Sequence, residues 1–212
     1  MFAHTLCVFA YPNLAPFAVL QSRLHEIWAR FFSSSMKDDL RYAPSDCFET
    51  FPFPRGYESD PALEAVGRLY HDHRAALMVA TDQGMTRTYN DFHDATLRGG
   101  RLSPDLVRLR ELHDEMDRAV LAAYGWHDLL APEAWPAHAP RFLAKPMGEN
   151  GRGERPGEPE RDHTYQGRLH WPAPTRDLVL ARLLALNATR AAEAPDPVYG
   201  DGVAEAAIEA AE

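Results

Sequence analysis

The polar residues between Ser22 and Tyr42 have the side-chain types that bind a phosphate backbone. Arg, Lys, Ser and Tyr side chains give proteins many of their hydrogen bonds to phosphate oxygens, and these bonds orient a protein on a duplex. These residue types make the segment the better candidate for nucleic-acid contact in this sequence. The alternative for the same residues is a solvated helix face followed by a loop, which the acidic balance of the chain favours. The predicted contact residues are Ser22, Arg23, His25, Arg30, Ser33, Ser34, Lys37, Arg41 and Tyr42.

The sequence contains no complete catalytic or metal-binding motif. His25 begins a pattern similar to HExxH, but the fourth residue after it is Ala29 and not a second His. His71 and His73 are two positions apart, a spacing that points two helical side chains to different faces. Phosphate-binding patterns of the GxGxxG and GxxxxGK[ST] types are also missing. We predict no catalytic residue and no metal ligand in the chain.

Composition limits the classes of protein and partner. The chain has 212 residues, 45% of them hydrophobic, and a formal net charge of −9. A free-standing nucleic-acid binder usually carries a basic excess, so we expect unaided duplex binding to be weak. No apolar run approaches the roughly 20 residues that cross a bilayer, and the N-terminus lacks a basic leader. Cys7 and Cys47 have no CxxC partner. These features predict a cytoplasmic protein without membrane contact.

The first fifty residues read as strand, helix and two extended pieces. The apolar run from His4 to Tyr11 predicts a buried strand. A stripe at helical spacing predicts a first helix with Trp28 beside it, and the extended pieces lie at 40–43 and 46–51. The polar residues of this helix fall off the stripe, namely Ser22, Arg23, His25, Glu26 and Arg30. We therefore expect that changing Arg23, Arg30 and Arg41 to Ala leaves the fold intact. The stripe residues are Leu20, Leu24, Ile27 and Phe31.

Three further helices are predicted from capping signals. Asp60 followed by Pro, and Ser103 followed by Pro, are each typical of a helix start. The first of these helices continues to about Gly84, and the second ends at Gly125. Thr175 is predicted to cap the last helix. A polar segment at 85–94 and a short strand within 165–172 complete the pattern.

The predicted fold class is α+β and mostly helical. A small N-terminal α/β portion precedes a helical region that carries a long Pro/Gly-rich loop. The Pro, Gly and charged residues around 148–162 predict a flexible linker. The expected parts are an α+β segment 1–58, a helical region 59–131, a linker 132–167, a packed C-terminal helix 168–194 and an acidic tail 195–212.

The segment from Leu20 to Pro54 resembles part of a known enzyme family. It is similar to the C-terminal region of MmeI-like type IIG/IIL restriction–modification enzymes and of PglX-type and DISARM-type adenine methyltransferases. The downstream stretches 86–94, 103–126 and 176–193 resemble the same family's helical region, so the likeness covers most of 6–194. The features that carry the first resemblance are Ser22, His25 and Trp28, the serines 33–35, Arg41-Tyr42 and the Phe-Pro-Phe-Pro of 51–54.

The resemblance implies a target-recognition and scaffold role in an adenine-specific DNA methyltransferase of a restriction–modification or phage-defence system. Such enzymes bind S-adenosylmethionine and a flipped adenine in a separate domain, whose donor loop and Asn/Asp-Pro-Pro-aromatic motif do not occur in these residues. We therefore expect no cofactor in this chain and no activity by the chain alone. Its expected partners are duplex DNA and a bacterial methyltransferase domain or subunit encoded elsewhere. The alternative is a helical interaction module that docks on such a complex without contacting DNA.

Overall fold

The computed structural model describes residues 8–33, 42–97, 102–143 and 165–193. These ranges contain mostly helix and one small antiparallel sheet, so the predicted mostly helical α+β fold class is confirmed. The helices and strands are α1 Ala15–Gln21, α2 Arg23–Phe32, α3 Pro44–Cys47, α4 Pro61–Thr81, α5 Met85–His93, α6 Pro104–Ala123, α7 Trp135–His138, β1 Arg141–Phe142, β2 Leu169–His170 and α8 Ala173–Glu193.

Two of the predicted helices, α4 and α6, begin where their capping residues indicate. The Asp60 carboxylate accepts hydrogen bonds from the backbone N–H groups of Ala62 and Leu63, at 2.8 and 3.1 Å. The Ser103 hydroxyl accepts one from the N–H of Leu106 at 3.1 Å. Each cap satisfies donors that the first turn of a helix leaves without an intrahelical partner. Both predicted starts are therefore confirmed.

The predicted single first helix is instead two helices, α1 and α2. The backbone of Ser22 is extended, with ψ of 157°, and its hydroxyl donates to the carbonyl of Val19 at 2.6 Å. This break interrupts the helical rotation, so a stripe read continuously across it loses its register. Leu24, Ile27 and Trp28 are buried as predicted, but Phe31 is 39% exposed. The expectation that Phe31 faces the core is wrong.

Other N-terminal expectations also differ from the structure. Residues 8–11 of the predicted strand are not in a strand, and Val8 is 60% exposed, while residues 4–7 lie outside the described ranges. The second extended piece instead begins within α3, which the φ angle of Pro44 favours at its first position. The polar segment at 85–94 forms α5. Thr175 lies inside α8, two residues after its start, and is not its cap.

The short sheet pairs a segment inside the predicted linker with a segment just beyond it. β1 pairs antiparallel with β2, with Arg141 opposite His170 and Phe142 opposite Leu169. The predicted strand within 165–172 is therefore confirmed. Within the predicted linker 132–167, α7 and β1 are regular elements. Residues 144–164 and 194–212, which include the centre of that linker and the acidic tail, lie outside the described ranges.

One hydrophobic core runs through α1, α2, α4, α6 and α8. Gly67 is the point of closest approach between α1 and α4, where a Cβ atom would lie 2.4 Å from the carbonyl oxygen of Leu14. Trp28 and Trp171 are both fully buried, and they belong to the same cluster of core residues. The N-terminal α1 and α2 are thus built into the same core as the later helices. Among the described helices, none has the length and hydropathy to cross a bilayer.

Candidate nucleic-acid interface

Arg23, the first residue of α2, lies inside the protein. Its guanidinium forms an ion pair with the carboxylate of Asp117 in α6, and its backbone N–H donates to the same carboxylate at 2.9 Å. Nε and Nη2 of Arg23 point to the carbonyl of Leu169 at 3.4 and 3.3 Å. Arg23 therefore joins α2, α6 and β2. Arg23 is buried, so its predicted exposure off the apolar stripe is wrong, and its ion pair removes the reason for expecting that its replacement leaves the fold intact.

Two other predicted contact residues also face inward. The Ser22 hydroxyl is bonded to the Val19 carbonyl at the α1–α2 break. His25 Nε2 lies 2.9 Å from the Tyr42 hydroxyl, and its ring meets Phe51 edge to face. Burial lowers the pKa of His25 to about 4, so the imidazole is neutral at pH 7. In this conformation Ser22 and His25 bind their own chain and do not reach a phosphate.

The carboxylate of Glu26 is surrounded by basic side chains. Arg30 Nε donates to it at 2.8 Å, Arg168 Nη2 lies 3.5 Å away and His170 Nε2 lies 3.6 Å away. Burial raises the pKa of Glu26, but the His170 contact and the two arginine charges outweigh it and hold that pKa well below its usual range. We call Glu26, Arg30, Arg168 and His170 the Glu26 cluster. With His170 neutral, two guanidinium groups face one carboxylate, and the cluster is net positive.

The neutral state of His170 follows from its surroundings. Its Nδ1 accepts a hydrogen bond from the backbone N–H of Trp171 at 2.9 Å, so the ring proton sits on Nε2, facing Glu26. Burial lowers the pKa of His170 to about 4, although Glu26 opposes this. The Tyr165 ring packs against the His170 ring at 4.5 Å between centroids, and the guanidinium groups of Arg30 and Arg176 lie 5.5 and 4.2 Å from the Tyr165 centroid. Aromatic and basic side chains therefore alternate at this end of α2.

An open cavity of about 620 Å³ adjoins the Glu26 cluster. It lies between α5 and the β1–β2 pair, and Arg168 lines it. His93 Nδ1 accepts from the N–H of Leu169 at 3.2 Å, and its Nε2 faces Arg168. Burial, followed by the charge of Arg168, lowers the pKa of His93 to about 3. The remaining lining residues are Tyr89, Asn90, Asp94, Ala95, Thr96, Phe142, Leu143 and Gly167.

The remaining predicted contact residues lie at or beyond the end of α2. Ser33 is the half-buried C-cap of α2, Tyr42 is half-buried against His25, and Ser34, Lys37 and Arg41 lie outside the described ranges. The structure therefore brings Arg30 and Ser33 to one edge, while Ser22, Arg23 and His25 turn inward. Within the described ranges there is no group of His, Cys, Asp or Glu residues that could hold a metal ion.

Sequence reasoning missed Asp117, Arg168, His93 and His170 as parts of this region. Asp117 interrupts the apolar stripe of α6, between Met116 and Val120, and that interruption was a usable signal for a buried ion pair. Arg168, His93 and His170 had no comparable local signal. They reach α2 only because the β1–β2 pair and α5 fold back toward it.

Comparison with known proteins gives one match. Residues 1–55 match a family model described as the target recognition domain of MmeI. No curated protein and no solved structure matches the chain. The resemblance of the N-terminal segment to this recognition domain is thereby confirmed. The matched segment contains Glu26, Arg30 and the Phe-Pro-Phe-Pro stretch at 51–54.

Proposed function

We propose that this chain is a DNA target-recognition and scaffold unit of a restriction–modification enzyme, and that the enzyme is an adenine-specific methyltransferase. The match of residues 1–55 to the MmeI target recognition domain carries the proposal. In this proposal the methyl donor is bound by a methyltransferase domain or subunit outside these residues, and the stretches 86–94, 103–126 and 176–193 are the helical scaffold. A role in phage defence is part of the same proposal.

The buried polar residues of α2 have a positioning role in this proposal. Arg23 holds the N-terminus of α2 against Asp117 and the Leu169 carbonyl, while His25 holds Tyr42. These contacts hold α2 and Tyr42, which flank residues 34–41 in the chain. The residues proposed to touch phosphate are Ser33, Ser34, Lys37 and Arg41, with Arg30 and Arg168 supplying the positive potential beside them.

The Glu26 cluster favours nucleic acid over an uncharged partner. Two guanidinium groups around one carboxylate leave a positive charge near the C-terminal half of α2, the helix that precedes residues 34–41 in the chain. Each phosphate that the protein neutralises contributes about −0.9 to the slope of log affinity against log salt. A few such contacts on an otherwise acidic protein give weak binding with a shallow slope.

The test is fluorescence anisotropy of a labelled duplex at low salt, with the full chain and the double variant Lys37→Ala, Arg41→Ala. We expect the wild type to bind and the variant to lose most of that binding. The matched control is Arg87→Ala, Arg118→Ala, which removes the same charge from exposed positions on α5 and α6. This control should retain most of the wild-type affinity. Circular dichroism and urea unfolding of all three proteins establish that each is folded.

Equal losses in both double variants would show a non-specific charge effect and would contradict the assigned contact segment. If the wild type does not bind duplex at all, the recognition proposal fails, and the interaction-module alternative replaces it. A methyl-transfer assay with S-adenosylmethionine on the purified chain should show no transfer. Transfer by the chain alone would refute the placement of the donor site in another domain.

A further inference from the structure

The outer face of α4 is mostly apolar, with Asp72 as its polar member and Arg68 beside it. Its solvent-facing residues recur at alternating intervals of three and four, and we call them the α4 stripe. Leu69 is 55% exposed and Val79 is 83% exposed. The α4 stripe consists of Ala62, Ala65, Leu69, Asp72, Ala76 and Val79.

An exposed helix of a globular protein normally presents polar side chains to water. On the α4 stripe, Asp72 is the polar member, and no described element packs over the stripe. Scattered apolar residues on a surface need no explanation, but a continuous row of them marks an interaction site. Intervals of three and four are also the spacing with which paired helices meet along a seam. The α4 stripe therefore has the pattern of a helix that packs against another helix.

We propose that the α4 stripe pairs, antiparallel, with the α4 stripe of a second copy of this chain. A twofold axis between residues 70 and 71 sets the two stripes against each other, as a symmetric dimer requires. In this register Val79 meets Ala62 of the second copy, and Ala65 meets its Ala76. Val79, the bulkier of the two end residues, therefore faces a small one. The pairing of Ala65 with Ala76 allows a close approach of the helices.

Charge complementarity selects this arrangement. Leu69 meets Asp72 of the second copy, and Asp72 then lies beside Arg68 of that copy, twice by symmetry. Arg68 and Asp72 both have exposed side chains, at 58% and 65%. Arg68 also bonds Glu64 of its own helix, and its guanidinium has five donors with which to serve both carboxylates. A parallel pairing would set Asp72 against Asp72, which like-charge repulsion disfavours.

The expected dimer is weak because its contact is narrow. The α4 stripe runs from residue 62 to residue 79, so the seam is about 26 Å long at about 1.5 Å per residue. Small side chains bury little area, which puts this interface at the lower end of specific ones, with a dissociation constant on the order of micromolar. This pairing does not depend on the recognition proposal, because the α4 stripe shares no residue with the proposed phosphate contacts.

Sedimentation equilibrium of the full chain measures the pairing. Protein concentrations between about 1 and 200 µM cover the micromolar dissociation constant that we expect. We expect a monomer–dimer equilibrium for the wild type, and for Leu69→Glu a dissociation constant raised by about a hundredfold, since both copies lose a buried Leu. Asp72→Arg should weaken the dimer, and the charge-reversed pair Arg68→Glu, Asp72→Arg should recover it. The matched control is Leu178→Glu on α8, another exposed apolar residue, which should leave the equilibrium unchanged.

Crosslinking tests the register. In a Cys7→Ser background, Ala65→Cys with Ala76→Cys should form an oxidised dimer, because these positions face each other across the seam. Ala76→Cys alone should form no such dimer, because residue 76 lies far from residue 76 of the second copy. Crosslinking by the single variant would overturn the antiparallel register. A wild type that is monomeric at 200 µM would overturn the pairing itself, whether the stripe is then covered by residues 203–211 or by a different protein.

Discussion

Arg23 and Asp117 form an ion pair in the interior although they are 94 positions apart in the chain. Arg23 belongs to the segment that matches a target recognition domain, and Asp117 belongs to α6, beyond it. Burial raises the pKa of Asp117 to about 6 even though Arg23 opposes that change. The pair is thus formed at a desolvation cost that only a complete set of partners offsets.

Breaking this pair from one side should destabilise the protein strongly. Asp117→Leu leaves the Arg23 charge buried, and Arg23→Met leaves the carboxylate buried, so each should lower the free energy of unfolding by about 3–5 kcal/mol. The double variant Arg23→Met, Asp117→Leu should recover much of that loss, because it buries no unpaired charge. Urea denaturation of the four proteins makes a double-mutant cycle. Additive losses in the cycle would show that the two residues act independently.

Trp28 should anchor α2 more strongly than Phe31. Trp28 is fully buried and its indole N–H donates to the Thr50 hydroxyl at 3.2 Å, while Phe31 is 39% exposed. Trp28→Ala should therefore cost about 3–5 kcal/mol of stability. Phe31→Ala, the matched control on the same helix, should cost less than about 1 kcal/mol. Equal denaturation midpoints for the two variants would refute the packing of α2.

Stability should fall between pH 7 and pH 5. Burial lowers the pKa of His25 and His170 to about 4 and that of His93 to about 3, from 6.5. The unfolded chain therefore takes up protons below pH 6.5 that the folded protein does not, and this stability is lost as pH falls toward 4. At pH 5 each histidine accounts for about 2 kcal/mol. The raised pKa of Asp117 works in the opposite direction in the range below pH 6, at about 1.4 kcal/mol.

Burial also lowers the pKa of His113 well below its usual value, which adds to the loss on acidification. Guanidinium unfolding at pH 7 and pH 5 measures the balance, which we expect to be a net loss of more than about 4 kcal/mol. His25→Gln should reduce the difference in stability between the two pH values by about 2 kcal/mol, because one of the buried histidines no longer titrates. An unchanged or rising stability on acidification would contradict the buried neutral state of these residues.

Gly67→Ala should destabilise the protein despite the better helix propensity of Ala. The new Cβ atom would lie 2.4 Å from the Leu14 carbonyl oxygen, which belongs to backbone and cannot move aside cheaply. We expect a loss of about 1–3 kcal/mol, typical of overpacking. Gly84→Ala serves as the control, since a Cβ there meets nothing within 4 Å, and its effect should stay below about 1 kcal/mol. A thermal melt in which Gly67→Ala is the more stable variant would refute the close α1–α4 contact.

The sequence predicts those elements whose signals are local. Asp60 and Ser103 cap α4 and α6 through N–H groups two or three residues away, so the chain itself carries the information. α5 has no such signal, because only Thr88 and Phe92 of its nine residues are buried. Its helix depends on contacts elsewhere, including the Arg110 guanidinium, which donates to the carbonyls of the last α5 residues. The sequence alone could not indicate that support.

The inward orientation of Arg23 and His25 could not be predicted for a related reason. A charged side chain is buried only when it has partners. The partners of Arg23 are Asp117 and the Leu169 carbonyl, far along the chain. A helical stripe read within α2 alone assigns such a residue to water. The break at Ser22 adds to the error, because it shifts the phase of α2 relative to α1.

The three-way bridge of Arg23 limits how recognition segments can be exchanged between proteins. A chimera that replaces residues 1–55 as a cassette keeps Asp117 and the Leu169 carbonyl, which accept from Arg23 in this chain. A donor segment without an arginine at the start of α2 would leave that carboxylate buried and unpaired. Successful recombination would therefore have to move positions 23 and 117 together, and new DNA specificity would be inherited with part of the scaffold.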